Sequence, residues 1–337
     1  MKNFIEKIPK AELHLHIEGS LEPELMFKLA KKNSIKIPYE NIEAIKKAYN
    51  FTSLQSFLDI YYAGANVLVN KQDFYDLTWE YILKCKENNI VHTEIFFDPQ
   101  THTQRGIAFK TVIEGIKEAL SDAKKEFGIT SKIIMCFLRH LSQEASFETL
   151  ELSLPYKNDI IAVGLDSSEL GNPPKKFEAV FKKAKEYGYK LVAHAGEEGD
   201  VSYIEEALDV LKVQRIDHGV QAIGSQTLMQ RLKKEQIPLT VCPNSNIELK
   251  VFDTYKEHNI KKLLDYGLNV CINSDDPAYF KGYVNQNFIN IYENLALSKE
   301  DIVALVKNSF RASFCDEKQK EIYINKVDEF VKAYSNL

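Results

Sequence analysis

The sequence predicts an α/β fold: a (β/α)8 TIM barrel with a helical insertion after the first strand and extra helices at the C-terminus. Three observations lead to this prediction. Short apolar runs recur along the 337 residues, longer amphipathic stretches separate them, and histidines or carboxylates stand where several of the runs end. Strands that alternate with helices are typical of a closed parallel barrel, and a doubly wound open sheet is the structural rival.

The apolar runs are short and rich in β-branched and aromatic residues, as expected for parallel strands that are buried on both faces. In chain order the predicted strands are Leu13–Ile17, Val91–Phe97, Ile133–Leu138, Ile160–Leu165, Lys190–Ala195, Gln214–Ile216, Pro238–Cys242 and Asn269–Ile272. About eight strands and as many helical stretches alternate, which is the order of elements in a (β/α)8 barrel.

The stretches between the strands have apolar residues at helical spacing. In 177–187 the apolar positions recur every three or four residues with lysines opposite, and 202–211 and 226–235 behave alike. Ser298 followed by Asp301 predicts a capping box before a helix over 302–310. Residues 21–89 and the segment after residue 284 exceed the repeat and predict additional helices. Because no Pro-, Gly- or Ser-rich linker divides the chain, we expect one domain over 1–337, with 21–89 as a helical insertion.

Composition limits the class of protein. The chain is 45% hydrophobic and 27% charged with a formal net charge of -5, so no basic surface for nucleic acid is expected. No apolar run approaches the roughly 20 residues of a membrane helix, and the first ten residues are polar and of mixed charge. Five scattered cysteines without a Cys-x-x-Cys pair fit a reducing compartment, so we expect a cytoplasmic protein. The sequence does not fix the oligomeric state.

Four potential metal ligands stand at the ends of three predicted strands. His14 and His16 are two apart in the first strand and therefore face the same side, His194 ends the fifth strand, and Asp275 follows the last. Each motif alone also suits an ordinary strand end. In a closed barrel, however, all the carboxyl ends converge and the first and last strands are neighbours. The sequence therefore predicts one metal site from these four residues, with an open position for water.

The order of these motifs resembles the adenosine/adenine deaminase family of the amidohydrolase superfamily. The likeness runs from Glu-Leu-His-Leu-His-Ile-Glu-Gly at 12–19 to Asn-Ser-Asp-Asp-Pro at 273–277 and covers essentially the whole barrel. Five segments are more similar to the adenine than to the adenosine branch: 96–103, 164–169, 194–199, 216–221 and 275–280. The resemblance implies hydrolytic deamination of adenine to hypoxanthine and ammonia, with a small-molecule 6-aminopurine as the ligand and purine salvage as the setting.

The resemblance also implies a cofactor and catalytic roles. Zn²⁺, or alternatively iron, would be held by the four ligands and would activate a water. Glu197, in its protonated form, would donate to purine N1. His218 would orient the attacking water and accept charge or a proton from it. Asp275 or His218 would carry that proton to the departing ammonia.

Three further residues are implied in substrate binding. Asp276 would hydrogen-bond purine N7, and the backbone N–H of Ser167 would meet N3. Glu18 stands where adenosine deaminases usually carry Asp, at the ribose end of the substrate, and the longer side chain would occupy space that a ribose needs.

Other functions stay open at this point. The segment Cys-Pro-Asn-Ser-Asn at 242–246 has Asn where adenine deaminases are expected to have Leu, so adenosine, a modified adenine or aminodeoxyfutalosine are alternative substrates. A catalytically silent purine-binding barrel is the alternative from another class. A binuclear amidohydrolase reaction with a carboxylated lysine is disfavoured, since no lysine stands out at a strand end.

Two groups of residues are given structural interpretations. His92-Thr93-Glu94 matches half of the cytidine-type zinc deaminase signature, but the Pro-Cys-x-x-Cys half is absent, so these residues are predicted to lie inside the barrel. The aromatic residues of the insertion are predicted to pack between helices rather than line a ligand site, although a lid could lie there. They are Phe51, Phe57, Tyr61 and Tyr62.

Overall fold

The computed structural model describes residues 1–334, and its centre is a barrel of eight parallel strands. The strands are β1 Lys10–His16, β2 Ile90–Phe97, β3 Thr130–Leu138, β4 Ile160–Asp166, β5 Lys190–Ala195, β6 Arg215–His218, β7 Leu239–Val241 and β8 Val270–Ile272. They pair in chain order, each parallel to the next. This order confirms the predicted (β/α)8 barrel and excludes the doubly wound sheet, in which the strand order reverses.

The segment after β8 closes the barrel against β1. Leu15 forms a parallel bridge with Asp275, and the His16 N–H donates to the Asp275 carbonyl over 3.0 Å. The Asp275 N–H donates in turn to the His14 carbonyl, also over 3.0 Å. Barrel closure therefore places Asp275 directly beside His14 and His16.

Helices occupy the predicted insertion. α1 (Lys2–Lys7) precedes β1, and residues 21–89 contain α2 (Pro23–Lys32), α3 (Ile42–Ala48), α4 (Leu54–Ala65) and α5 (Lys71–Glu87). Ser53 begins α4 with a side chain that accepts the Ser56 N–H, which fixes where this helix starts. α5 packs against the long helix α7 (Phe109–Phe127), which lies between β2 and β3, so α5 belongs to the outer helical layer of the barrel.

The remaining helices follow the strands in turn. They are α6 (Pro99–Thr103), α7 (Phe109–Phe127), α8 (Gln143–Ser153), α9 (Glu178–Glu186), α10 (Val201–Glu206), α11 (Gln226–Glu235), α12 (Pro243–Glu248), α13 (Ile260–Tyr266), α14 (Val284–Asn294), α15 (Lys299–Ala312) and α16 (Glu317–Tyr334). The predicted capping box is present: Ser298 Oγ accepts the Asp301 N–H at 3.0 Å, and Asp301 Oδ2 accepts the Ser298 N–H at 2.8 Å. Within residues 1–334, no helix combines the length and apolar character that a bilayer crossing requires.

The main departure from the predicted strands is in β6. The sequence interpretation ended this strand at Ile216, where the apolar run stops, whereas the observed strand continues through Asp217 to His218. Both polar residues pair with β5, Asp217 with His194 and His218 with Ala195. A polar side chain can continue a barrel strand when it points into a polar interior, so an apolar run underestimates the length of such a strand.

The barrel interior has an apolar layer and, towards the N-terminal ends of the strands, a buried ion pair. Five side chains form the apolar layer: Phe96, Ile134, Cys136, Ala162 and Val192. Arg215 Nη1 donates to Glu94 Oε2 over 2.6 Å, and both side chains are fully buried. With its base filled in this way, the barrel is open to ligands only at the carboxyl ends of its strands.

Candidate active site and metal centre

The carboxyl ends of β1, β5 and β8 bring the four predicted metal ligands together. His16 Nε2 lies 3.0 Å from His194 Nε2 and 3.5 Å from Asp275 Oδ1. His14 Nε2 lies 3.1 Å from the same carboxylate oxygen. His14, His194, Asp275 and also His218 each offer a donor atom within 4.8 Å of the others, and all four residues are buried.

Hydrogen bonds behind His14 decide which of its ring nitrogens faces the centre. The Thr240 hydroxyl donates to Asp217 Oδ1 over 2.7 Å, so its oxygen is left as an acceptor. His14 Nδ1 lies 3.0 Å from this oxygen and 3.2 Å from the Thr240 carbonyl, so Nδ1 carries the hydrogen. In the neutral ring, Nε2 then presents a lone pair to the Asp275 carboxylate.

A lone pair opposed to a carboxylate is a stable arrangement only when a cation or a proton lies between them. Asp275 raises the pKa of His14 even though burial opposes the charged ring, which reflects the same demand for positive charge. Three imidazoles and one carboxylate are a donor set that suits Zn²⁺. The residues present therefore fit a divalent metal ion.

Glu197 lies next to this centre, in buried surroundings that favour the protonated form of its carboxyl group. Burial, followed by the charge of Asp275, raises its pKa well above the usual value. Its Oε2 lies 3.5 Å from His218 Nε2, and its Oε1 is buried without a hydrogen-bond partner among residues 1–334. Burial lowers the pKa of His218 to about 3, so this ring is neutral at pH 7. The pair therefore combines a proton donor with a proton acceptor.

Glu169 fixes the loop that carries Glu197, a role that the sequence interpretation did not assign. Its carboxylate accepts four successive backbone N–H groups at 2.7–3.1 Å: those of Gly196, Glu197, Glu198 and Gly199. The residue appeared in the sequence only as part of a branch-specific segment. A buried carboxylate that binds backbone donors produces no sequence pattern, so it could not be distinguished from a surface glutamate.

The Asp276 side chain lies so close to Gly19 that its position in the cavity requires glycine at residue 19. A Cβ at Gly19 would lie 1.9 Å from Asp276 Oδ1, so only glycine permits this close approach. Asp276 Oδ1 is buried and has no partner within the described part of the chain. Burial and the neighbouring Asp275 charge raise its pKa well above the usual value. Asp276 Oδ1 is therefore available for a hydrogen bond with a ligand.

Ser167 lies at the cavity wall in a left-handed backbone conformation, with φ of 75°. Its hydroxyl oxygen is contacted by Tyr62 Oη at 2.9 Å and by His140 Nδ1 at 2.7 Å. These contacts link the insertion helix α4 to the end of β4.

Two further carboxylates line the cavity, and the sequence interpretation gave neither a role. Asp166 is the last residue of β4, and Asp98 directly follows β2. Burial and then the charge of Glu18 raise the pKa of Asp98 to about 7, and burial and then Asp98 raise that of Asp166 well above normal. The histidines were located because polar residues at the carboxyl ends of barrel strands converge on one site. The same argument applies to Asp98 and Asp166 and could have identified them.

Glu18 lies behind Asp98 rather than on the cavity surface. Its Oε1 accepts the Asp98 N–H at 3.2 Å and contacts His102 Nε2 at 2.7 Å. It is 1% exposed, and it is not among the residues that line the cavity. The carboxylate nearest to a ligand on this side is therefore that of Asp98, and Glu18 acts behind it.

The insertion covers the mouth of the cavity. The enclosed cavity is small, with about 30 Å³ of space that the centre of a water molecule can occupy. Its wall from α4 consists of Leu54, Phe57, Leu58, Tyr61 and Tyr62. The aromatic residues were predicted to be mainly helix-packing core; three of the four, Phe57, Tyr61 and Tyr62, instead line the cavity. Phe51 packs edge-on against Phe57, as predicted.

His92 and Glu94 lie inside the barrel near its base, as the sequence predicts. His92 Nε2 is 3.3 Å from Glu94 Oε1 and 3.4 Å from Cys315 Sγ, and Glu94 is also paired with Arg215. Although burial opposes the charged ring, the hydrogen bonds that His92 donates to Cys315 and Glu94 raise its pKa to about 9.

The sequence profile described as "Adenosine deaminase" matches residues 9–330, which is nearly the whole chain. The chain belongs to the adenosine deaminase family. Membership confirms the resemblance inferred from the motifs, and it accounts for the order in which the histidines and carboxylates follow the strands.

Relatives within the adenosine deaminase family are similar over their full length. The chain is 73% identical to "Adenine deaminase" of Psychrobacter cryohalolentis, with 98% of this chain and 100% of that protein covered. It is 61% identical to "Adenine deaminase" of Acinetobacter baylyi, with 97% and 98% covered. The crystal structure of adenine deaminase from Arthrobacter aurescens superposes with a TM-score of 0.95 at 48% identity, over 96% of this chain and 99% of that one.

Proposed function

We propose that the chain hydrolyses adenine to hypoxanthine and ammonia. The observation that carries this proposal is the position of Glu197, whose pKa is raised by burial, 3.5 Å from the His218 ring and next to a cluster of imidazoles and one carboxylate that suits a divalent metal. Full-length similarity at 55–73% identity to proteins named adenine deaminase supports adenine as the substrate. Deamination needs an activated water and a proton donor for the ring, and the cavity holds candidates for both.

The proposed cofactor is Zn²⁺ bound by His14, His16, His194 and Asp275, with iron as the alternative metal. A metal ion held there would supply the Lewis acidity that makes water nucleophilic at neutral pH. The hydrogen bond from His14 Nδ1 to Thr240 favours this arrangement, because the orienting partner fixes the ligating tautomer.

The side chains then divide the proton transfers between them. Glu197 donates its proton to purine N1, which removes the resistance of the aromatic ring to attack at C6. His218 accepts a proton from the attacking water, and a C–O bond forms as the C6 centre becomes tetrahedral. The C–N bond then breaks as the C6 hydroxyl becomes a carbonyl. The proton that His218 took from water reaches the departing amino group, directly or by way of Asp275, so that ammonia leaves, and the proton lost by the hydroxyl restores Glu197. General acid and base catalysis of this kind contributes roughly 10²–10⁴ in rate.

The remaining polar groups orient the purine. Asp276, whose position depends on glycine at residue 19, would hydrogen-bond N7, and the backbone N–H of Ser167 would meet N3. The proposed location, from the five cysteines without a disulfide framework, is the cytoplasm.

The direct test measures metal content and ammonia release on adenine, adenosine and N6-methyladenine. We expect one divalent ion per chain and the highest kcat/KM for adenine, with activity lost on chelation and restored by Zn²⁺. Preference for adenosine would contradict the proposal. If the metal-containing protein binds purines but releases no ammonia, it is a catalytically silent purine-binding barrel.

A further inference from the structure

The cavity contains a pair of carboxylates that the proposed reaction does not use. Asp98 and Asp166 both line the cavity, and each is 2% exposed. One donor atom from each lies within 4.8 Å of the other and of a His16 ring nitrogen. The pair is therefore next to the proposed metal centre but belongs to a different side of the cavity.

This pair has few hydrogen-bond donors of its own. Tyr61 Oη donates to Asp98 Oδ2 over 3.2 Å, and His16 Nδ1 lies 3.5 Å from Asp166 Oδ2. Asp98 and Asp166 hydrogen-bond each other, and the Cys136 thiol is within hydrogen-bond reach of Asp166. In the part of the chain that the structure describes, no amide, amine or hydroxyl group donates to Asp98 Oδ1 or to either Asp166 oxygen. Burying a carboxylate without hydrogen-bond donors costs free energy, and two acids that share one proton still carry one buried negative charge. This side of the cavity therefore favours a ligand that brings an N–H group.

The position of Asp98 is fixed from behind. Glu18 Oε1 accepts the Asp98 N–H, and Glu18 is itself in contact with His102. Because Glu18 binds the backbone of Asp98 rather than its side chain, the carboxylate is oriented and remains free to accept a hydrogen bond. An acceptor that is held in this way discriminates strongly between ligands with and without the matching hydrogen.

A free purine base differs from a nucleoside in one hydrogen of the imidazole ring. The base carries an N–H there, whereas the nucleoside has a glycosidic bond at N9 and no hydrogen to donate. We propose that Asp98, backed by Asp166, accepts the imidazole-ring N–H of the substrate and so makes the enzyme selective for 6-aminopurines that are unsubstituted at N9. Asp98 is then a specificity-determining residue. This inference rests on the proposed deamination and identifies the feature of the substrate that the site selects.

The experiment compares kcat/KM for adenine and 9-methyladenine, which differ only in this hydrogen and a methyl group. In Asp98→Ala, the ratio of the two values should fall at least roughly tenfold, because adenine loses a charge-assisted hydrogen bond worth about 10- to 100-fold and 9-methyladenine loses none. Asp98→Asn keeps the size and an acceptor oxygen, so a smaller fall in the same direction is expected. This second variant decides the question if the alanine variant does not fold.

Tyr61→Phe is the matched control. It removes the protein's own hydrogen bond to Asp98 but leaves the acceptor in place, so the ratio should stay near the wild-type value. If Tyr61→Phe reproduces the fall, Asp98 only supports α4 and the inference is wrong. If the wild type deaminates adenine but the Asp98 variants keep the wild-type ratio of kcat/KM for adenine to that for 9-methyladenine, this inference is wrong and the proposed function stands. A wild type that deaminates adenosine but not adenine overturns the proposed function together with it.

Discussion

His14 Nδ1 lies 3.0 Å from Thr240 Oγ1, and the Thr240 hydroxyl donates to Asp217 in turn. This relay fixes the ring tautomer from three strands: β1, β7 and β6. The nitrogen that faces the centre is consequently set before any metal arrives.

Thr240→Val should therefore weaken metal binding. Valine has the shape of threonine but lacks the hydroxyl that accepts from His14 and donates to Asp217, so His14 Nδ1 keeps the backbone carbonyl of residue 240 as its acceptor. Loss of an orienting partner typically costs 10–100-fold in affinity or activity, and the retained carbonyl places the expected loss towards the lower end of that range. Competition with a zinc chelator measures the change. Thr78→Val is the control, because Thr78 is equally buried but its hydroxyl bonds only to the Phe74 carbonyl within α5. Equal zinc affinity in the two variants would contradict the relay.

Glu197→Gln should retain zinc and lose most turnover. Glutamine preserves the size of the side chain but cannot give up a proton to the purine ring, so kcat should fall by roughly 10²–10⁴. Metal analysis together with steady-state kinetics on adenine separates the two effects. Glu198→Gln changes the adjacent side chain, which does not line the cavity, and should remain active. A Glu197→Gln enzyme with near-normal kcat would rule out this acid.

Glu169→Gln should lower both stability and kcat. The amide can present only one acceptor oxygen, so at least one of four backbone N–H groups loses its partner, at a cost of about 1–3 kcal/mol. Since the loop carries Glu197, kcat should fall more than KM changes. Chemical denaturation and kinetics provide the two measurements. Glu178→Gln, on the first turn of α9, is the control. An unchanged kcat in a destabilised Glu169→Gln protein would limit Glu169 to a structural role.

His92 should make stability dependent on pH. Its folded pKa of about 9 lies above the ordinary histidine value of 6.5, so its contribution to stability is complete below pH 6.5 and is lost as the pH rises through 9. The difference in the free energy of unfolding between wild type and His92→Gln should shrink by about 3 kcal/mol from pH 6 to pH 10. Denaturant titrations at several pH values measure it.

His258→Gln is the control for this titration. Burial lowers the pKa of His258 to about 3, so its ring is neutral in the folded chain throughout the range. Above pH 7 the unfolded ring is largely neutral as well, and the difference from wild type should be flat from pH 7.5 to 10. A flat profile for His92→Gln over the same range would show that the His92 ring is not charged in the folded protein.

The sequence predicted the barrel and the meeting of the four proposed metal ligands because both follow from local patterns. Eight apolar runs identify the strands, and the convergence of their ends predicts that His14 and Asp275 meet although 261 positions separate them. The position of Glu18 was not predictable, since the resemblance implies a ribose-facing residue but not that Asp98 stands in front of it. Residues that act by binding backbone groups, such as Glu169, leave no periodicity or spacing to recognise.

The closure of the barrel has a consequence for how the metal is acquired. His14 and His16 belong to β1, whereas Asp275 follows β8, so the two imidazoles are synthesised well before the carboxylate. A nascent chain without β8 can offer imidazoles but not all four proposed ligands, so tight binding of the proposed metal would have to follow synthesis of the last strand. An ion bound there would then report that the first and last strands of the barrel are correctly joined.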